Sequence, residues 1–94
     1  MDSVAVKVTL PALLAQAVQG AAEVTVRATT LKGALEQLVS DYPLLRVHLF
    51  EQDGAQRQHV LILYNGQSIR WFPSHEIPLQ AGDEISILQL VSGG

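Results

Sequence analysis

Two short stretches in which valine alternates with polar or small residues sit in front of a single amphipathic helical pattern, and few folds accommodate that opening. Val4, Val6 and Val8 alternate with Ala5, Lys7 and Thr9, and Val24 and Val26 alternate with Glu23, Thr25 and Arg27. Period two is the mark of a half-buried strand. Leu10-Pro11 ends the first stretch, an apolar run from Ala12 to Val18 follows, and Gly20 provides a turn, so the two strands are expected to pair as a hairpin.

The helix comes next. Leu31, Leu35, Leu38, Val39 and Tyr42 fall at i, i+4, i+7, i+8 and i+11, with Thr29 or Thr30 as N-cap and Pro43 as the stop. Gly33 near its start costs about 1 kcal/mol relative to Ala unless a strand approaches closely there. From Leu44 to Phe50 the apolar residues keep no clean period, and Glu51 to Arg57 reads as a polar loop with a turn at Asp53-Gly54. Of all segments, this one is expected to be the most mobile. Gln58 to Tyr64 is apolar on both faces toward its end, the pattern of a central strand, and Asn65-Gly66 is a strong hairpin signal. A short strand from Gln67 to Phe72, an irregular crossing bracketed by Pro73 and Pro78, a turn at Ala81-Gly82-Asp83 and a last strand from Glu84 to Val91 complete the pattern.

Strand, strand, helix, strand, short strand, strand is the order of an α+β sheet with one main helix on one face. It places the last strand centrally and parallel to the first, in a β-grasp arrangement of four to five strands. Ninety-four residues leave room for one core, so residues 1–94 are expected to form one domain, with 91–94 as a flexible tail.

Composition narrows the function. A chain without cysteine has no disulfide, thiolate metal site or thiol nucleophile. Six basic residues against nine acidic, for a net charge of -3, argue against a nucleic-acid binder. The longest apolar run, Val60 to Tyr64, is far short of the roughly 20 residues of a membrane span. Met1-Asp2-Ser3 lacks the start of a secretory signal, so a cytoplasmic location is expected. His48, His59 and His75 match no metal or triad spacing and read as ordinary surface histidines; no enzyme is expected.

Chemistry concentrates instead at Val91-Ser92-Gly93-Gly94. Glycine at the last two positions removes every Cβ near a terminal carboxylate and lets the segment thread a channel closed to side chains. From Val91 to Gly94 the chain spans at most about 14 Å, enough to enter another protein's active site. A carboxylate accepts a nucleophile only after activation, for instance as an acyl adenylate. No phosphate-binding glycine motif occurs and the only lysines are Lys7 and Lys32, so a partner must supply the ATP site. Beside this end, Ile85 and Ile87 alternate inward while Leu88 and Leu90 continue in the outward phase. Either these leucines form a docking patch, or a bulge turns them inward, or the Leu44 to Phe50 segment covers them. For Trp71-Phe72 the alternatives are core packing or partner contact.

The strand order, the Asn65-Gly66 and Ala81-Gly82-Asp83-Glu84 turns and the Val91-Ser92-Gly93-Gly94 end resemble the MoaD/ThiS sulfur-carrier family of ubiquitin-like β-grasp proteins. The strand leading into Pro11, the Thr30-Leu31-x-Gly33 helix start, and Asn65 followed by Ile69-Arg70 and Phe72 are similar to its longer, CysO-like members. That resemblance implies that Gly94 is adenylated by a ubiquitin-activating-type enzyme using ATP and magnesium. The product would become a thiocarboxylate that donates sulfur to a biosynthetic enzyme making cysteine, molybdopterin, thiamin or a related metabolite. Gly93 would supply the slim approach and Leu88 a docking position. Beside the resemblance, Ser92 and Val91 are expected to complete the tail, Leu90 and Phe72 to join Leu88 in the partner-docking set, and the chain itself to bind no cofactor. The polar insert at Glu51 to Arg57 and the Trp71-Phe72 pair depart from the family pattern. Two alternatives use the same activated carboxyl group: a protein modifier forming isopeptide bonds to lysine, and an obligate small subunit of a molybdopterin-synthase-like complex.

Overall fold

The computed structural model describes residues 3–90. Strand β1 (Val4–Thr9) pairs antiparallel with β2 (Glu23–Ala28) in the register Val4↔Ala28 to Thr9↔Glu23, as the two valine alternations require. Val6, Val8, Val24 and Val26 are buried, and the residues between them are mostly exposed. The intervening apolar stretch forms a 3-10 helix, Ala12–Val18, that drives Leu14 and Val18 into the core.

Helix α1 (Leu31–Asp41) starts at Thr30, whose Oγ1 accepts a hydrogen bond from the Gly33 N–H at 3.0 Å. The two N–H groups before it donate to the crossing segment: Leu31 to the Ile77 carbonyl at 2.9 Å and Lys32 to the His75 carbonyl at 2.8 Å. Donors at the start of a helix have no partner within it, so the stretch between Pro73 and Pro78 completes the cap. A Cβ on Gly33 would lie 3.3 Å from Thr30 Oγ1 and 3.5 Å from Ala28 Cβ. A side chain at Gly33 would thus press on the cap hydroxyl of Thr30 while making only ordinary contact with the end of β2.

Pro43 ends α1 and also begins a second helix, α2 (Pro43–Leu49), which the sequence pattern left unassigned. Proline suits the first helical position because its missing N–H has no partner there. Leu45 and Leu49 face the core, whereas Leu44 and Val47 are exposed, which scrambles the apolar period. The following loop is laced by hydrogen bonds. Arg57 binds Glu51 Oε2 through Nη1 at 3.0 Å and the Val47 carbonyl through Nε at 2.7 Å, and Ala55 N–H donates to Asp53 Oδ1.

Strand β3 (Val60–Tyr64) turns through Asn65-Gly66 into the two-residue β4 (Gln67–Ser68). Both turn residues have positive φ, 49° and 87°, as this tight hairpin demands. Beyond Ser68 the expected strand gives way to a 3-10 turn, Ile69–Trp71, because Ile69 must reach the core. Strand β5 (Glu84–Gln89) inserts between β1 and β3, parallel to the former and antiparallel to the latter. The sheet order is β2-β1-β5-β3-β4, with α1 on one face. This is the β-grasp arrangement. Twenty buried apolar residues between sheet and helices form one cluster, with no polar or charged side chain buried among the described residues. No described helix is long and apolar enough to cross a membrane.

Candidate functional site

On β5, Ile85 and Ile87 are buried beneath the helices, so Ser86, Leu88 and Leu90 must point to the opposite face. The register with β3 is unbroken from Tyr64↔Ile85 to Val60↔Gln89, so no bulge turns the leucines inward. Leu88 is 43% exposed and Leu90 53%. Pairing with β1 stops at Thr9↔Ser86, leaving Leu88 with a neighbouring strand on one side only.

That neighbour extends the patch. Leu61 stands directly across from Leu88, and Leu63 across from Ser86, both half-buried on the open face. Sequence reasoning missed Leu61 and Leu63 because an all-apolar β3 reads as a strand covered on both sides. Only its pairing with β5 shows that one side is open. The Leu44 to Phe50 segment does not cover the leucines, since α2 packs against α1 and the 3-10 helix of Ala12–Val18 on the other face. A final rung, Leu90 N–H to the His59 carbonyl at 2.7 Å, fixes the backbone at the edge of the patch. Val91, Ser92, Gly93 and Gly94 lie outside the described residues.

Phe72 is half-buried, packs against the core and meets Tyr64 edge to face at 6.3 Å between ring centroids. It is Trp71, 84% exposed, that faces outward. His48 and His59 are exposed, and His75 Nε2 lies 3.0 Å from the Ile69 carbonyl. Among the described residues no group of three His, Asp or Glu is placed to hold a metal ion. A cavity of about 580 Å³ opens between α1, α2 and the 51–57 loop, with Lys32, Arg46, Arg57 and His75 around a floor of Leu35, Val39 and Phe50. It lies on the helical side, away from Leu88, and two of its cations are already paired, Arg57 with Glu51 and Lys32 with Glu76.

The opposite end of β5 is held by a polar lattice. Asp83 accepts from the Tyr64 hydroxyl at 2.5 Å, from Gln80 N–H at 2.8 Å and from Asn65 Nδ2 at 3.1 Å, while Asn65 Oδ1 accepts from Glu84 N–H at 2.9 Å. Burial, then the hydrogen bond to Asp83 and its charge, push the Tyr64 phenol up to about 12. Burial alone would raise Asp83, but the bonds from Tyr64, Gln80 and Asn65 outweigh it and hold the carboxyl below its ordinary value.

A mixed five-stranded sheet with its helices on one face, a central last strand and an open apolar face beside that strand's end define a ubiquitin-like β-grasp domain. The ThiS family model matches residues 8–94, and the chain belongs to the ThiS family of such sulfur-carrier proteins. It is 34% identical over 65 residues, 69% of this chain and 70% of the relative, to small archaeal modifier protein 1 of Haloferax volcanii. The solution structure of small archaeal modifier protein 1 from Methanosarcina acetivorans matches with a TM-score of 0.82 at 33% identity, covering 100% of both chains. In the crystal structure of the Amycolatopsis orientalis BexX/CysO complex, the matched chain gives 0.80 at 21% identity, over 95% of this chain and 99% of that one. CysO thus shares the fold, while the archaeal modifiers share more of the residues.

Proposed function

We propose that this chain is a sulfur carrier whose Gly94 carboxylate is the reacting group and whose body is an address for partner enzymes. The carboxylate oxygen attacks the α-phosphorus of ATP on an activating enzyme, with magnesium, and pyrophosphate leaves. Hydrosulfide then attacks the acyl carbon and AMP leaves, giving a thiocarboxylate; when its sulfur passes to the acceptor of a biosynthetic enzyme, water replaces it at the acyl carbon and the carboxylate is regenerated. The chain is substrate and carrier, and both catalytic steps belong to partners. Val91, Ser92 and Gly93 bridge from the Leu90 rung to the reacting atom, a span of about 14 Å at most. Leu88 and Leu90, joined by Leu61 and Leu63, form the docking face; Phe72 acts indirectly by supporting the turn that presents Trp71.

The observation that carries this reading is the family match through residue 94, adjoining an apolar face that the fold leaves open. Modification of other proteins through an isopeptide bond is the second reading, favoured by the likeness to the archaeal modifier proteins at 33 and 34% identity. Intact-mass spectrometry of the protein from its native cells separates the two. Exchange of one oxygen for sulfur at the terminal glycine supports the carrier; adducts through lysine support the modifier. An unmodified terminus whose removal leaves sulfur metabolism and protein conjugation unchanged excludes both.

A further inference from the structure

The two edges of the sheet differ sharply: β4 is two residues long, β2 is six. A short edge offers little to an incoming strand, while a long one exposes a row of unpaired backbone groups. Which groups these are follows from the phase of the ladder. Leu10 N–H donates to the Ala22 carbonyl at 2.9 Å, and these residues oppose one another in the continued β1–β2 register. Hydrogen-bonded pairs alternate along an antiparallel ladder. Val8–Val24, Val6–Val26 and Val4–Ala28 are therefore the bonded pairs, and the N–H and C=O groups of Glu23, Thr25 and Arg27 point away from β1. Neither proline nor a bulge protects this edge.

We propose that the β2 edge is a self-association surface, pairing antiparallel with β2 of a second copy about a two-fold axis through Thr25. In that register Thr25 meets the second copy's Thr25, and Glu23 and Arg27 each meet the other, twice by symmetry. Opposite charges across a ladder attract and like charges repel. A parallel in-register pairing would set Glu23 against Glu23 and Arg27 against Arg27, and no other antiparallel register joins both oppositely charged pairs. On the inner face Val24 meets Val26. The present partners of the charged groups are exposed and easily exchanged: Glu23 lies 3.8 Å from Lys7, and Arg27 Nη2 donates to the Ser3 carbonyl at 3.1 Å. The Thr29 carbonyl is taken by Leu79 N–H at 2.9 Å, so the ladder stops at Arg27. So short an interface associates weakly. It leaves the Leu61, Leu63, Leu88 and Leu90 face of each copy open.

The test is sedimentation velocity and amide exchange on the full chain over a range of concentrations up to about 1 mM. A concentration-dependent dimer is expected. Its Glu23, Thr25 and Arg27 amides should slow as dimer forms, while those of Val24 and Val26 are slow throughout. Glu23→Arg alone, or Arg27→Glu alone, should weaken association about tenfold, and the two together should restore it. Both side chains are exposed, and an unchanged amide spectrum elsewhere checks that each variant folds. A monomer across the whole range, or a dimer indifferent to either charge reversal, overturns the proposal.

Discussion

Tyr64 shows how one polar contact can hold a strand end in place. Its hydroxyl, Asp83 and Asn65 bind the β3–β4 turn to the entry of β5, so Tyr64→Phe should cost about 1 kcal/mol of unfolding free energy in a urea titration. The pH dependence has a definite sign at each end. A phenol raised to about 12 contributes stability in full below its ordinary value of 10.0, and loses it as pH rises toward 12. The lowered Asp83 carboxyl contributes above its ordinary 3.8 and loses its contribution as pH falls through the folded value. Tyr64→Phe should flatten the alkaline limb of the stability profile, and an unchanged limb would show that another group sets it. At the opposite end of β5, Leu88→Asp removes an exposed apolar contact. Stability should change by no more than about 0.5 kcal/mol, while under the proposed function the chain's KM as substrate in ATP–pyrophosphate exchange with an activating enzyme should rise about tenfold. Gly94→Ala should slow the same exchange sharply without altering the melting temperature, because it adds a side chain where a slim approach is required. Wild-type exchange in that variant would refute the role given to Gly94.

Among the elements, the N-terminus of α1 gathers its partners from three places: Thr30, Ile77 and His75. Thr30→Ala should cost about 1 kcal/mol by thermal melting, with Thr30→Ser close to wild type. Elements set by local chemistry were legible in the sequence: the alternating valines, the leucine face of α1 and the Asn65-Gly66 turn each carry their own geometry. What was illegible depended on contacts distant in the chain. Helix α2 was hidden because Pro43 stops one helix while starting another, and because Leu44 and Val47 break the apolar period by facing outward. Leu61 and Leu63 read as part of a strand covered on both sides, since nothing in Val60–Tyr64 reveals that β5 is the neighbour or that the far side is partly open. Phe72 reads from the sequence as partner-docking, and its edge-to-face packing on Tyr64 is a contact between distant residues that no local pattern contains.

For the molecule as a whole, a single cluster joins sheet and helices, so damage at its centre cannot be confined. Leu38, wholly buried at the sheet-facing side of α1, should cost about 2–5 kcal/mol when cut to alanine. The loss should be seen in one cooperative transition by both fluorescence and circular dichroism. The placement of β5 has a mechanical consequence. Its C-terminal end is where a partner would grip, and the strand is flanked by β1 on one side and β3 on the other. A pull directed along β5 loads the rungs on both flanks together, in shear. The same pull on an edge strand such as β2, directed outward, would open its rungs one after another like a zipper. Force applied along β5 is thus resisted by many rungs at once, where force on β2 would meet them singly.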